Sequence, residues 1–301
     1  MKPIGAVDKI NADITIPGSK SYTNRALLIA ALAEGNSLLK NPLFSDDTKY
    51  MVNALQNFGV RIKQIKDSLE VHGIGLQAIA PKQPVYLGNA GTAVRFLTTY
   101  AALAFGNTTI TGNERMKKRP LGDLLDALRQ LGVETDCSTG CPPLKVYGGE
   151  FPGGIAQIKG NMSSQYISSI LMCAPYANNE VRLKVIGELT SKPYVDLTLD
   201  IMQDFGVDVE NQNYQGFVVK PGQRYKAKTY TIESDASNAS YFFAAAAITK
   251  GRVRINNLSL KSKQGDVQFV NVLKQMGCEV KSSKTFIEVV GKDLNGITID
   301  M

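Results

Sequence analysis

Phe58-Gly59-Val60 ends an amphipathic helix and opens a β-branched strand. The same punctuation returns as Leu131-Gly132-Val133, Phe205-Gly206-Val207 and Met276-Gly277-Cys278. The four glycines follow one another at intervals of 73, 74 and 71 residues. A glycine there suits the left-handed position just past a helix C-terminus, and an alternating strand follows each time. Repetition at this period predicts an α/β chain assembled from copies of one supersecondary unit.

The starts of the first helices repeat as well. Gly18-Ser19, Asn89-Ala90-Gly91-Thr92, Met162-Ser163-Ser164 and Ser234-Asp235-Ala236-Ser237 put small or capping residues before the apolar runs 26–33, 94–104, 167–174 and 241–248. Second helices are expected near Asp46-Asp47, Arg119-Pro120, Lys192-Pro193 and Gln264-Gly265, two of them with proline at the first helical position. Each unit then runs strand, helix, strand, helix, strand, strand. Two helices on one side of a small sheet would stack on the helices of neighbouring units. Several positive helix ends would then converge on one anionic ligand. After Phe286-Ile287-Glu288-Val289-Val290, the segment Ile297-Thr298-Ile299-Asp300 is expected to be the opening strand of a fifth copy. Either the polypeptide is a fragment, or this segment pairs back onto the N-terminal strand.

The first helix start is Pro17-Gly18-Ser19-Lys20-Ser21-Tyr22-Thr23-Asn24-Arg25, after a strand expected over Asp13-Ile14-Thr15-Ile16. Unpaired N–H groups of a first helical turn, flanked by Lys20 and Arg25, make a cradle for phosphate or carboxylate. A Ser-capped helix with two solvated basic residues is the plain alternative.

A chain of 301 residues, 44% hydrophobic and 20% charged, has enough apolar content for two cores and too little charge for disorder. The formal net charge of +7 favours anionic partners without separating nucleic acid from a small phosphorylated substrate. Cys137 and Cys141 lack a second Cys or His pair to complete a zinc site, and with Cys173 and Cys278 they are expected to be free thiols. His72 is expected in a surface turn, which disfavours Ser-His-Asp or metal-histidine chemistry. No apolar run is long enough to cross a bilayer and no signal-peptide pattern is present, so a cytoplasmic protein is expected.

The motifs together resemble the 5-enolpyruvylshikimate-3-phosphate synthase (3-phosphoshikimate 1-carboxyvinyltransferase) family. The resemblance is carried by Pro17-Gly18-Ser19-Lys20-Ser21 with Asn24-Arg25, Ser45-Asp46-Asp47, and Leu87-Gly88-Asn89-Ala90-Gly91-Thr92-Ala93. It continues through Arg115-Met116-Lys117 with Arg119-Pro120, Ser163-Ser164-Gln165, Ser191-Lys192-Pro193-Tyr194, Asp235-Ala236-Ser237 and Gln264-Gly265-Asp266, in the family's order. It implies an inside-out α/β barrel of βαβαββ units, four of the family's six being present. Residues 19–231 would form one three-unit domain, and 1–18 with 232–301 part of a second.

The implied reaction transfers the enolpyruvyl group of phosphoenolpyruvate to the 5-hydroxyl of shikimate 3-phosphate, on the path to chorismate and the aromatic amino acids, with neither metal nor cofactor. The resemblance puts Lys20 and Arg115 at phosphoenolpyruvate, with Asn89, Gly91 and Thr92 offering their backbone. It gives Ser21, Arg25, Ser163, Ser164, Ser191 and Tyr194 to shikimate 3-phosphate, and sets Gln165 between the ligands. No nucleic-acid or membrane partner is expected, and a monomer is expected at full length. The family's acid–base Asp and Glu are expected beyond Met301, so that residues 1–301 alone would be inactive. Phe96 stands where many relatives have proline, which bears on the helix carrying Gly91 and on affinity for mimics such as glyphosate. Two alternatives are a UDP-N-acetylglucosamine enolpyruvyl transferase, whose loop cysteine is absent from Asn113-Glu114-Arg115-Met116-Lys117, and a non-catalytic anion- or RNA-binding repeat protein. Against the latter, the basic residues are scattered rather than striped with aromatics.

Overall fold

A computed structural model of the chain describes Gly5 and residues 8–299. The order begins β1 (Asn11–Ile14), α1 (Lys20–Leu32), β2 (Glu34–Lys40), α2 (Asp46–Asn57), β3 (Arg61–Ile65) and β4 (Ser68–Ile74). Next come β5 (Val85–Tyr86), α3 (Gly91–Leu103), β6 (Gly106–Thr111), α4 (Gly122–Gln130), β7 (Thr135–Asp136) and β8 (Leu144–Gly148). They are followed by β9 (Gly154–Lys159), α5 (Ser164–Cys173), β10 (Val181–Ile186), α6 (Lys192–Asp204), β11 (Glu210–Asn211) and β12 (Gly216–Val219). The last described elements are β13 (Thr229–Thr231), α7 (Ala236–Ile248), β14 (Arg252–Asn256), α8 (Phe269–Gln275), β15 (Glu279–Ser282) and β16 (Phe286–Val290). Short 3₁₀ turns occupy Met116–Lys118, Ala174–Tyr176 and Gly265–Gln268.

The glycines after α2, α4, α6 and α8 have φ of 101°, 85°, 88° and 112° at Gly59, Gly132, Gly206 and Gly277. Each stands in the left-handed region, where a Cβ is disfavoured, and each releases the chain into the next strand. The first helices begin about a turn before the apolar runs do. α1 starts at Lys20, α3 at Gly91, α5 at Ser164 and α7 at Ala236. Polar residues of the motifs therefore lie inside the first turns. Ser163 caps α5 by accepting from Gln165 N at 3.3 Å, and Asp235 caps α7 by accepting from Asn238 N at 2.9 Å.

Four four-stranded sheets form, ordered β1-β14-β16-β15, β13-β2-β4-β3, β5-β6-β8-β7 and β9-β10-β12-β11. In each, the first pair is parallel and the other two pairs are antiparallel. One pairing departs from chain order. The strand before α1 joins β14 (Asn11 opposite Arg252), while β2 takes β13 as its parallel neighbour (Leu38 opposite Thr229). The hydrophobic pattern marks a strand but does not name its partner, so this exchange cannot be read from periodicity. The chain accordingly divides into two compact units, Met1–Ser19 with Ile232–Met301 and Lys20–Thr231.

Two local expectations are corrected. Residues 297–299 form no strand, and Asp300 lies outside the described residues. His72 lies within β4, opposite Asn36 and Arg61, with Nδ1 2.5 Å from Asn36 Oδ1. It belongs to the strand rather than a turn.

In the unit Lys20–Thr231, every residue of α1 from Tyr22 to Leu32 is buried. Close approach explains its alanines. A Cβ at Gly73 of β4 would lie 2.0 Å from Ala33 O and 2.2 Å from Ala30 O. Gly148 of β8 stands likewise against Ala101 O and Ala104 O at 2.2 and 2.3 Å. In the other unit, Gly291 meets Ala246 O at 2.2 Å. There α7 buries Ala239, Phe243 and Ala246 but leaves Tyr241 and Ile248 76% and 75% exposed.

Among the described residues, four buried side-chain polar atoms lack a hydrogen-bond partner: Asn24 Oδ1, Arg95 Nε, Tyr100 OH and Thr108 Oγ1. Tyr100 OH is buried without a hydrogen bond, and burial pushes its phenol well above the usual range. Its ring packs edge-on to Phe58 at 5.1 Å. Tyr100→Phe keeps the packing and removes the orphaned hydroxyl. It is expected to stabilise the protein by about 1 kcal/mol, read as a raised thermal midpoint. A lowered midpoint would show that the hydroxyl is satisfied by water.

Candidate functional site

The unit Lys20–Thr231 gathers the first turns of α1, α3, α5 and α6. Arg25, one turn into α1, is 1% exposed. Its Nε donates to Thr198 Oγ1 at 2.7 Å, Nη1 to Ser21 O at 3.1 Å, and Nη2 to Ser168 Oγ and Tyr194 O, both at 3.2 Å. The Phe96 ring lies 5.2 Å from its guanidinium carbon. One arginine thus ties α1 to α5 and α6 and touches α3. Among the described residues no carboxylate pairs with it, and burial lowers its pKa to about 10. It remains a cation at neutral pH, held by hydroxyls, carbonyls and a ring face. The resemblance gives Arg25 to shikimate 3-phosphate. Here most of its donors are already spent on the scaffold. Phe96 lies in an unbroken α3 and is itself fully buried.

Around Gly91 the chain makes a second cationic corner. Arg95 Nη1 donates to Gly91 O at 2.6 Å and to Gln165 Oε1 at 3.2 Å, joining α3 to α5. Arg119 donates from Nε and Nη2 to Asn89 Oδ1 at 3.2 and 3.1 Å. A Cβ at Gly91 would lie 2.2 Å from Arg119 Nη1 and 3.0 Å from Arg95 Nη1. Two guanidinium groups therefore reach one glycine, and neither has a carboxylate partner among the described residues. Like charges so close favour an anion between them.

Arg115, expected at phosphoenolpyruvate, lies on the loop that leads into this corner. That residue is exposed at the start of the 3₁₀ turn, where its backbone N–H donates to Asn113 Oδ1. The turn and the extended Arg119 (φ −82°, ψ 122°) bring Arg119 back to Gly91. Pro120 is the signal that could have found it, because a residue before proline is driven out of helix.

The other expected residues lie on the same helix starts. Lys20 is exposed and sits 3.7 Å from Asp47 at the start of α2. Ser21 and Thr92 are half-buried, and Ser164 is buried in the first turn of α5. Ser191, exposed just before α6, holds φ 57° and ψ 40°, a left-handed conformation uncommon for serine. Tyr194 is 40% exposed through its side chain while its carbonyl meets Arg25. Together these first turns offer N–H groups, hydroxyls and four cations, suited to a ligand carrying more than one anionic group. A surface depression of about 600 Å³ lined by Asp208, Glu210, Lys220 and Gln223 shares none of these residues. Among the described residues no group of three or more His, Cys, Asp or Glu is placed to hold a metal ion.

Residues 4–301 match the family described as EPSP synthase (3-phosphoshikimate 1-carboxyvinyltransferase). The chain belongs to the EPSP synthase family. Similar curated proteins are named 3-phosphoshikimate 1-carboxyvinyltransferase. One from Trichormus variabilis is 46% identical over 297 residues, covering 97% of this chain and 70% of that protein. One from Yersinia pestis is 46% identical over 308 residues, covering all of this chain and 71% of its own length. Among solved structures, an EPSP synthase from Acinetobacter baumannii superposes with a TM-score of 0.85 at 25% identity, over 97% of this chain and 67% of that one. The α/β architecture with mixed sheets is thus that of EPSP synthases. In this member of the EPSP synthase family, Arg95 and Arg119 join the residues expected at the substrates.

Proposed function

We infer that the chain acts as the enolpyruvyl transferase of its family. The enolpyruvyl group of phosphoenolpyruvate passes to the 5-hydroxyl of shikimate 3-phosphate, in the shikimate pathway of aromatic amino-acid biosynthesis. The hydroxyl loses its proton as its oxygen adds to C2 of phosphoenolpyruvate, and the C2=C3 π electrons take up a proton at C3. The C2–O bond to phosphate then breaks, inorganic phosphate leaves and the C3 proton is lost.

The observation that carries this reading is two cationic corners sharing one helix. α5 presents Gln165 to Arg95 at the Gly91 corner and Ser168 to Arg25 at the other. Phosphoenolpyruvate fits the Gly91 corner, where Arg119 and Arg95, with Arg115 from the same loop as Arg119, would meet its phosphate and the first-turn N–H groups of α3 would support them. Lys20 supplies a mobile charge to the same ligand. Shikimate 3-phosphate takes Ser21, Ser163, Ser164, Ser191 and Tyr194, with the charge of Arg25 beneath them and Gln165 between the ligands. Preorganised cations stabilise the charge that gathers on phosphate as its bond to C2 breaks.

The four like-ordered sheets and the recurring helix–glycine–strand junctions support four βαβαββ units. The exposed apolar face of α7 fits packing against units of the same kind. No described helix is long and apolar enough to cross a membrane.

Calorimetric titration tests this reading. Shikimate 3-phosphate is expected to bind with salt-sensitive affinity, and phosphoenolpyruvate to bind once it is present. Gly91→Ala puts a methyl where Arg119 Nη1 now lies. It is expected to weaken phosphoenolpyruvate at least about tenfold, for the loss of a charge-assisted contact, with shikimate 3-phosphate little changed. Tight RNA binding without affinity for either substrate would overturn the assignment.

A further inference from the structure

Tyr166 follows Gln165 on α5 and is 2% exposed. It makes two contacts that do not belong to ordinary core packing. Its OH donates to Pro120 O at 2.7 Å, gripping the residue that follows Arg119. Its ring faces the Arg95 guanidinium, with the carbon 5.6 Å from the ring centroid. The two cations at Gly91 come from different segments, one on α3 and one on the loop before α4. Their charges repel, and neither is in an ion pair with a described carboxylate. Asn89 holds the Arg119 head through a single oxygen, and Gly91 O with Gln165 holds that of Arg95. Tyr166 is the side chain that touches both segments.

We propose that Tyr166 is a positioning residue for phosphoenolpyruvate: its hydroxyl anchors the Arg119–Pro120 backbone and its ring seats Arg95, setting the gap between the two guanidinium groups. The proposal rests on the assignment of the Gly91 corner to phosphoenolpyruvate and assigns a residue that does not itself touch the ligand. A phenol suits the task. Its burial holds the hydroxyl in its protonated, donating form, and a ring face is attractive to Arg95 without neutralising it. A carboxylate there would pair with an arginine and compete with the substrate phosphate.

The test separates the hydroxyl from the ring. Phosphoenolpyruvate affinity is measured calorimetrically on the full chain saturated with shikimate 3-phosphate, for the parent, Tyr166→Phe, Tyr166→Leu and Arg119→Ala. Shikimate 3-phosphate affinity and the thermal midpoint are followed in parallel. Tyr166→Phe loses one hydrogen bond and is expected to weaken phosphoenolpyruvate about three- to tenfold. Shikimate 3-phosphate binding should stay within twofold in roughly the same assay error. Tyr166→Leu should weaken phosphoenolpyruvate further, and restoring the ring as Phe should recover part of that loss.

Three results overturn the proposal. If Arg119→Ala abolishes phosphoenolpyruvate binding while Tyr166→Phe binds it as the parent does, the corner is assigned correctly but Tyr166 does not position it. If Tyr166→Phe weakens both ligands in step with a lowered midpoint, its role is stability alone. If the parent binds shikimate 3-phosphate but phosphoenolpyruvate affinity ignores Arg119→Ala, the underlying assignment fails and the proposal falls with it.

Discussion

Arg25→Met is expected to fold at least as stably as the parent and to lose shikimate 3-phosphate affinity on the order of a hundredfold, since the loss of a buried charged contact costs several kcal/mol. The stability half follows from the bonds that remain. Thr198 Oγ1 already donates to Tyr194 O at 2.8 Å and lies 2.8 Å from Ser168 Oγ, so removing the guanidinium orphans neither hydroxyl. Methionine fills much of the arginine's volume against Phe96. It also removes a buried cation whose burial lowers its pKa to about 10 and which has no described carboxylate partner. Replacing such a charge by an apolar side chain of similar size is commonly neutral or stabilising. The affinity half follows from the same isolation, because a desolvated positive charge with no protein counter-ion acts on the nearest anion. Thermal unfolding and calorimetry on one preparation check both halves. A large fall in midpoint would make Arg25 a structural group, and unchanged affinity would remove it from the site.

Gly73→Ala carries the largest expected cost in stability. Its new Cβ would stand 2.0 and 2.2 Å from two carbonyl oxygens at the end of α1, and 2.9 Å from Ala33 C. Those are backbone atoms of a helix buried on all sides, so neither strand nor helix can yield by a rotamer change. A loss of more than about 3 kcal/mol is expected, seen as insoluble protein or a collapsed denaturation midpoint. Gly148→Ala should behave alike against Ala101 and Ala104. Gly122, at the start of α4, has nothing within 4 Å of an added Cβ. Gly122→Ala is therefore the control and should be neutral or slightly stabilising. Equal effects at 73 and 122 would remove the close-packing account of the alanine-rich helices.

Much of the architecture is legible in the sequence because its signals are local. The glycine at a helix end and the serine or aspartate at a helix start act within one turn. Gly59, Gly132, Gly206, Gly277, Ser163 and Asp235 all do what their chemistry dictates. What is not legible depends on partners far along the chain. Nothing within Asn11–Ile14 tells that it pairs with β14 rather than β2. Ile297-Thr298-Ile299 has strand composition and no strand to pair with in the described residues, so composition alone misleads there. His72 stands at the end of the run Ser68–Val71, where composition alone does not separate strand from turn, and its pairing with Asn36 is long-range.

The site divides in the same way. Lys20, Gly91, Ser164 and Gln165 lie on helix starts that the motifs mark. Arg115 and Arg119 lie four residues apart in one basic loop, and the 3₁₀ turn and Pro120 bring Arg119 to Gly91. Arg25 looks like a surface cation at the start of a helix. Its burial comes from Ser168, Thr198 and Tyr194, contributed by segments more than 140 residues away. Tyr166 reads as a plain apolar position until its hydroxyl is seen at Pro120.

On the proposed assignment, the helix starts of the Lys20–Thr231 unit hold both substrates side by side. Backbone amide NMR of the isotope-labelled full chain measures it most directly. Shikimate 3-phosphate is predicted to shift Lys20, Ser21, Ser164, Gln165, Ser191 and their neighbours. Phosphoenolpyruvate added afterwards should shift Gly91, Thr92 and Arg119. Shifts confined instead to the basic depression of Asn36, Arg61, Lys63 and His72, or to the sheet edge at Asp208 and Lys220, would contradict it.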